Sequence, residues 1–182
     1  AIGFCILLGG FTANAVNILA GYNGLEGGVT SVMTGAVIIY TYMRYGWVEG
    51  ILPLLALLGS LIGFLWYNRY PARAFPGNIG TFFMGGTLAA FSMYLGAHIL
   101  LVILLAPHLM DFMLKLSQKF TCREMEHAKA REDGVIEPPS YRSLIAAILS
   151  RVRLTERKLV QLLILVEGGI ATVAVLALLA LQ

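Results

Sequence analysis

Asparagine side chains near the start of the sequence are the first candidates for chemistry. Asn14 and Asn17 stand three residues apart in an otherwise apolar stretch, and Asn23 lies in the glycine-rich turn 21–28 that follows it. Residues three apart lie on one face of a helix, and polar groups buried in a bilayer are retained mainly where they line a site or pair across helices. The spacing therefore predicts either a polar site at the helix end or interhelical hydrogen bonds beside a capped turn.

A second candidate segment, 66–78, combines basic, aromatic and glycine residues. Arg73 and Phe75 come shortly before Gly77 and Asn78, where a new apolar stretch begins. A guanidinium and the free amide groups of a helix start both complement phosphate, so the segment favours an anion site. The alternative is an ordinary loop at a membrane surface, where arginine and tyrosine are also common.

A third segment, 119–139, mixes basic and acidic residues with a histidine, His127. Its composition alone is typical of a solvated charged loop. The sequence contains no P-loop, no HExxH zinc motif and no GxSxG nucleophile motif, each of which requires its residues at a fixed spacing. Serine-nucleophile chemistry and P-loop hydrolysis are therefore not supported.

These segments are connected by apolar elements that indicate an integral membrane protein. Hydrophobic residues make up 58% of the chain and charged residues 13%, with a mean hydropathy of +0.80, whereas soluble proteins carry about 25% charged residues. The apolar runs are continuous, and about 20 such residues span a bilayer as a helix. We predict an all-α, polytopic transmembrane helical bundle of about six spans. It forms one domain over 1–182, with spans at 1–20, 29–45, 47–66, 80–95, 98–116 and 159–182.

The basic residues predict how the bundle is oriented. Of the 13 lysines and arginines, all except Arg44 fall beside the turns that would share one side, 21–28, 67–79 and 117–156. By the positive-inside rule this is the cytoplasmic side, and all three candidate segments lie on it. Within the cytoplasmic loop 117–156, the stretch 141–154 has its apolar residues on one helical face and is predicted to be an interfacial amphipathic helix.

Two long motifs carry a resemblance to a known family. They are NAVNILAGYNGLEGG (14–28) and WYNRYPARAFPGNIGTFFMGG (66–86), and LTERKLVQLLILVEGG (154–169) adds to them. The chain resembles the polyprenyl-phosphate N-acetylhexosamine-1-phosphate transferases, glycosyl transferase family 4, and within them the archaeal and eukaryotic UDP-GlcNAc:dolichyl-phosphate branch. The resemblance covers the C-terminal half of the family's fold, so the opening residues are interpreted as the end of a span whose beginning is missing.

The resemblance implies a reaction and its partners. Enzymes of this family transfer GlcNAc-1-phosphate from UDP-GlcNAc to a polyprenyl or dolichyl phosphate and release UMP, with Mg²⁺, or Mn²⁺ in its place, bridging the pyrophosphate. The implied setting is a multi-pass protein of an archaeal cell membrane or of the ER membrane, with its active site facing the cytoplasm. The implied partners are the two substrates, the lipid bilayer and a second copy in a homodimer, without nucleic acid.

The resemblance also assigns residue roles. It gives metal ligation to Asn17 and Asn78, substrate binding to Gly21, Asn23, Arg73 and Phe75, and catalysis to Arg123 and His127. Asn78 stands where the family motif has an aspartate, and a neutral amide is a weaker ligand for a hard cation. The family's paired aspartates are absent from the sequence, so the chain is expected to be incomplete for catalysis.

Two alternatives to a transferase stay open. One is a non-catalytic membrane subunit descended from the enzyme, which the change at Asn78 would suit. The other is a transporter component, because transporters also build sites from broken helices and polar clusters, although here the polar residues gather at one membrane face and not at the midplane. Elsewhere, Glu167 is predicted to make a buried interhelical contact or an oligomer interface, and His108 is predicted to pair with Asp111.

Overall fold

The computed structural model of the protein describes residues 2–118 and 134–181. These residues form eight helices: α1 (Ile2–Ile18), α2 (Leu25–Tyr45), α3 (Val48–Asn68), α4 (Gly77–Tyr94), α5 (His98–Leu104), α6 (Ala106–Leu116), α7 (Leu144–Leu149) and α8 (Glu156–Ala180). Extended structure in this part of the chain is limited to one isolated antiparallel bridge, between Val135 and Thr155. The predicted all-α fold is confirmed.

The bundle is built around α2. This helix packs against α3 and α8, while α1 lies along α4 and α5 rests on α8. Met33 and Val37 of α2 and Leu54 of α3 are fully buried at the centre. The buried face of α2 also carries hydroxyl groups. That of Thr34 donates to the carbonyl oxygen of Thr30 one turn earlier at 2.7 Å.

Two helices of the described residues, α3 and α8, are long and apolar enough to cross a membrane. The pair α5 and α6 adds a third span if the bent pair counts as one. The predicted count of about six spans therefore stays a prediction. Glu167 lies within α8 and is 1% exposed, which agrees with the interhelical interpretation of this carboxylate.

The predicted span 98–116 is not one helix. It is divided into α5 and α6, whose axes are bent by 53°, and Pro107 lies in the first turn of α6. Proline has no amide hydrogen, and its ring clashes with the carbonyl group four residues earlier, so a helix rarely continues through it unbent. The predicted span 98–116 is therefore a bent pair of helices, and counting apolar residues does not register the proline at the bend.

The predicted amphipathic helix 141–154 is shorter in the structure. Only α7 is helical there, with the Ser143 hydroxyl oxygen accepting from the Ala146 amide at 3.0 Å as an N-cap. Leu144 and Leu149, predicted to face the membrane, are buried, and α7 packs against α6. An interfacial position for this stretch stays a prediction.

A glycine allows α1 to approach α4 closely. A Cβ atom on Gly85 would lie 2.7 Å from the Thr12 carbonyl oxygen and 2.8 Å from the Ala13 Cα atom, both of them backbone atoms of α1. No real Cβ atom tolerates such distances, so only glycine fits here. The close approach sets the C-terminal half of α1 beside the first turns of α4.

The connections between helices group at two ends, as the sequence predicts. At one end the α2–α3 and α4–α5 connections meet, with the Trp47 and Tyr94 rings 5.4 Å apart between centroids. The α1–α2 turn, the α3–α4 loop and the first turn of α8 are in contact at the other end, through hydrogen bonds to Asn23. Which of these ends faces the cytoplasm stays a prediction.

Candidate functional site

The turn between α1 and α2 is shaped by two glycines and closed by a glutamate. Gly21 and Gly24 have φ angles of 114° and 82°, which side chains with a Cβ atom rarely adopt. Glu26, in the first turn of α2, is 4% exposed, and its Oε1 atom accepts a hydrogen bond from the Gly21 amide at 2.6 Å. The motif AGYNGLE therefore folds into a compact turn that leaves the Asn23 side chain pointing away from Glu26 toward other partners.

Asn23 joins three parts of the chain. Its backbone amide donates to Glu156 Oε1 at 2.6 Å, and its side-chain Nδ2 atom donates to the same oxygen. Its Oδ1 atom accepts from the Ala72 amide at 2.7 Å. Asn23 thus holds the α1–α2 turn against the α3–α4 loop and against the start of α8.

A buried amide shapes the α3–α4 loop. Asn68, at the end of α3, is fully buried, and its Nδ2 atom donates to the Ala74 carbonyl oxygen at 2.9 Å. The Arg73 amide donates to the Tyr67 carbonyl oxygen at 2.7 Å. These contacts fold the loop back on the helix end, with the Phe75 ring left 55% exposed.

Two adjoining cavities lie around these segments. The first, called here the Phe75 cavity, has a volume of about 440 Å³, and its lining includes Gly21, Asn23, Phe75 and Glu156. The second, called the arginine cavity, has a volume of about 630 Å³, and its lining includes Asn23, Arg69, Arg73 and Arg157. All four residues predicted to bind substrate therefore line one or both cavities. Their roles stay predictions.

A tyrosine of the Phe75 cavity is held in its neutral form. Burial first, then the nearby Tyr141 and the carboxylate of Glu156, raise the pKa of the Tyr22 phenol above its ordinary value. Each of these effects disfavours the phenolate. Tyr22 therefore presents an uncharged hydroxyl group to this region over the physiological pH range.

Thr81 connects the side chain of Asn17 to the first turn of α4, where Asn78 lies. Thr81 Oγ1 donates to Asn17 Oδ1 at 2.7 Å and lies 3.0 Å from the Asn78 carbonyl oxygen. The described residues contain no group of three or more His, Cys, Asp or Glu side chains that could hold a metal ion. Because Mg²⁺ usually requires one or two carboxylates, two neutral amides and a hydroxyl do not fit this ion by themselves.

A buried ion pair fixes α6 to the end of α1. Lys115 Nζ lies 2.7 Å from Asp111 Oδ2 and donates to the Ile18 carbonyl oxygen at 2.7 Å. Asp111 Oδ1 accepts from the Leu144 amide at 2.8 Å. The predicted pairing of His108 with Asp111 is not observed in the part of the chain that the structure describes, where the carboxylate contacts Lys115 and the Leu144 amide and the buried Nδ1 atom of His108 has no hydrogen-bond partner.

The predicted catalytic residues Arg123 and His127 lie outside the described residues. Three residues that the sequence reasoning did not single out hold the site together: Glu156, Thr81 and Lys115. Glu156 had a usable signal, because it follows Thr155 at the start of an apolar run, and acidic residues favour the first turn of a helix. Thr81 and Lys115 carry no comparable signal in their local sequence.

Removing the carboxylate of Glu156 is expected to loosen this arrangement. In Glu156→Ala both Asn23 donors lose their acceptor, which should lower the free energy of unfolding by about 1–3 kcal/mol. Thermal unfolding of the detergent-solubilised protein measures the change. Glu49→Ala is the matched control, because Glu49 is also in the first turn of a helix but is exposed. Equal shifts in the two variants would contradict a joining role for Glu156.

Sequence comparisons relate the chain to known proteins. The sequence profile described as glycosyl transferase family 4 matches residues 1–96. The chain is 34% identical over 170 residues to a Saccharolobus solfataricus protein provisionally named a UDP-N-acetylglucosamine–dolichyl-phosphate N-acetylglucosaminephosphotransferase, covering 91% of this chain and 51% of that protein. It is 35% identical over 112 residues to a phospho-N-acetylmuramoyl-pentapeptide-transferase of Symbiobacterium thermophilum, covering 62% of this chain and 34% of that protein.

A second archaeal relative is a provisionally named glycosyltransferase of Methanocaldococcus jannaschii, 30% identical over 155 residues, with 84% of this chain and 51% of that protein covered. The chain spans about half the length of the archaeal relatives it matches. The profile match covers more than half of the chain and includes both motif segments that form the cavities. The chain therefore belongs to glycosyl transferase family 4.

Proposed function

We propose that the protein acts in the transfer of a sugar phosphate from a nucleotide sugar to a polyprenyl phosphate. The specific reaction proposed is transfer of GlcNAc-1-phosphate from UDP-GlcNAc to a dolichyl-type phosphate, with release of UMP. The observation that carries the proposal is the hydrogen bond from the Ala72 amide to Asn23 Oδ1. It joins the two motif segments at the Phe75 cavity, and the name of the Saccharolobus relative supports the choice of substrates.

Each residue of the site has a physical role in this proposal. The exposed Phe75 ring offers a face on which a planar base stacks, and the remaining hydrogen of Asn23 Nδ2 is free to donate to a base oxygen. The Arg73 guanidinium suits a phosphate. Phosphoryl transfer depends mainly on positioning and on neutralising charge, so a rigid turn held by Glu156 is itself part of the chemistry.

The proposal includes a divalent cation, which needs ligands in addition to Asn17 and Asn78. Mg²⁺, or Mn²⁺, when bound would neutralise phosphate charge. Asn17 and Asn78 are the proposed ligands, and carboxylates would have to come from outside the described residues. Arg123 and His127 remain the proposed catalytic groups. None of the roles assigned above to Phe75, Asn23 or Arg73 depends on the cation.

The proposed setting is a membrane with the site at its cytoplasmic face. The distribution of basic residues supports this orientation, in an archaeal cell membrane or the ER membrane. We propose about six spans, with 141–154 at the membrane interface and a homodimer as the assembled form. The apolar α3 and α8 support the membrane setting.

Binding of the donor tests the proposal. Radiolabelled UDP-GlcNAc should bind the purified protein and be displaced by UMP, and Phe75→Ala should weaken binding about 5- to 150-fold, because base–aromatic stacking contributes about 1–3 kcal/mol. Phe83→Ala is the matched control, since Phe83 is exposed on α4 and lies outside both cavities.

Three outcomes separate the candidate functions. Transfer of label to a polyprenyl phosphate in membranes that contain the protein supports the transferase. Donor binding without transfer favours the non-catalytic subunit, and label accumulating inside vesicles without transfer favours the transporter component. Equal donor binding by Phe75→Ala and Phe83→Ala would remove the Phe75 cavity from the proposal.

A further inference from the structure

The arginine cavity includes two arginines, Arg69 and Arg157, to which the proposed transfer reaction assigns no role. It opens between α2, α3 and α8, and three arginines, Arg69, Arg73 and Arg157, line it. We propose that this cavity binds an anionic membrane phospholipid, with the phosphate at Arg69 and Arg157 and the acyl chains along the cleft between α3 and α8. The proposal requires only that the protein lies in a membrane, and it does not rest on the transferase activity.

The first argument is unbalanced charge. No carboxylate lines the cavity, and none of the three arginines forms an ion pair in the part of the chain that the structure describes. The guanidinium of Arg69 lies 4.2 Å from the centroid of the Trp66 ring, a contact that orients the group without neutralising it. Arg69 and Arg157 in a lining without carboxylates favour an anion, and guanidinium groups match a phosphate by two parallel hydrogen bonds.

The second argument is the apolar part of the lining. Leu65 of α3 and Val160 and Ile164 of α8 form one wall, and these two helices are the ones long and apolar enough to cross a membrane. Trp66 is 64% exposed at the mouth, and tryptophan is enriched where a helix leaves the hydrocarbon layer. A lining that combines arginines with apolar side chains fits an amphiphile better than a free phosphate ion.

The third argument is size and position. The volume of about 630 Å³ is several times that of a phosphate group and falls in the range of about 300–1,000 Å³ that is usual for organic ligands. The cavity also shares Asn23, Tyr70 and Arg157 with the Phe75 cavity. A phospholipid bound here would therefore lie directly beside the proposed donor site.

Tryptophan fluorescence gives a test confined to this cavity. The sequence has only two tryptophans, so Trp47→Phe leaves Trp66 as the single reporter. In vesicles, phosphatidylglycerol with brominated chains should quench Trp66 at a several-fold lower mole fraction than brominated phosphatidylcholine. In the same background, Arg69→Gln with Arg157→Gln should weaken this preference about 10- to 30-fold. Each basic side chain near a membrane surface strengthens the binding of anionic lipid by a factor of about 5, and two are removed.

Two control variants keep the test independent of folding. Arg142→Gln with Arg153→Gln removes the same charge from exposed positions outside the arginine cavity and should keep the preference. Arg69→Lys with Arg157→Lys keeps the charge and should retain most of it. If the glutamine variant at 69 and 157 behaves like the glutamine variant at 142 and 153, the arginines do not hold a headgroup and the proposal is wrong.

Competitors identify the source of the phosphate. Unbrominated phosphatidylglycerol should relieve the quenching, whereas inorganic phosphate at millimolar concentration should not. Relief by inorganic phosphate would assign the cavity to soluble anions. Stronger relief by a polyprenyl phosphate than by phosphatidylglycerol would assign it to the lipid acceptor, and equal quenching by both brominated lipids would show a cleft without headgroup selection. Each of these three results overturns the proposal.

Discussion

Gly85→Ala is expected to disrupt both the stability of the bundle and the candidate site. The added methyl group would meet two backbone atoms of α1, at Thr12 and Ala13, and backbone cannot move aside as a flexible side chain can. Overpacking of this kind costs about 1–3 kcal/mol. Because α1 must shift away from α4, the contact between Asn17 and Thr81 should open, and a misplacement of about 1 Å costs about 100-fold in turnover.

The neighbouring glycine provides the control for this prediction. Gly86 lies on the same helix, and a Cβ atom there would meet nothing within 4 Å. Gly86→Ala should therefore leave stability unchanged or slightly raised, since alanine favours helix over glycine by about 1 kcal/mol. Thermal unfolding in detergent and the transfer assay measure both variants. A Gly85→Ala protein as stable and as active as Gly86→Ala would show that α1 and α4 do not pack as described.

Asn17→Ala is expected to lower sugar-phosphate transfer about 10- to 100-fold, the usual cost of altering a residue that supports a metal site, which is the role proposed for Asn17. The reason is that its Oδ1 atom is the acceptor held by Thr81 at the α1–α4 contact. The measurement is transfer of radiolabelled GlcNAc-1-phosphate to a polyprenyl phosphate across a magnesium titration. Asn14→Ala is the matched control, because the Asn14 side chain is exposed and, among the described residues, donates within its own helix to the Gly10 carbonyl oxygen.

Asn78→Asp should have the opposite effect in the same titration. An aspartate supplies the anionic ligand that a hard cation prefers, so half-maximal activity should require less Mg²⁺, with the maximal rate equal or higher. The side chain of Asn78 is exposed, so the added charge carries little burial cost. Loss of activity in Asn78→Asp together with full activity in Asn17→Ala would remove both residues from the metal site.

The fold and the site differ in how far local sequence predicts them. The ends of α1, α2 and α8 follow from apolar runs and from the turn at Gly21 and Gly24, because hydropathy and backbone freedom are local properties. The convergence of the Asn23 and Phe75 segments is what the predicted alternation of spans implies, because it places both segments at the same end of the bundle. The helix ends depend on residue type and the convergence of the two segments depends on the order of the helices, and the sequence shows residue type and order directly.

The contacts that make the site rigid could not be predicted in this way. Asn23 meets Glu156 across 133 positions, and Lys115 meets the Ile18 carbonyl oxygen across 97. Such pairings depend on how whole helices pack, and a lysine or a glutamate in a charged stretch has many possible partners. The bend before α6 changes which of those partners come within reach, and a count of apolar residues does not detect it.

The hydrogen bonds from Asn23 to Glu156 also indicate whether the portion of the chain matched by the family profile can fold by itself. The family profile ends at residue 96, yet α8 packs against α2, and its first residue accepts both donors of Asn23. A protein cut after the matched portion would leave these donors unpaired and would expose the side of α2 that α8 covers. The region recognised by the profile is therefore a unit of sequence similarity and not a unit of folding, and splitting the chain there would separate a site from its own support.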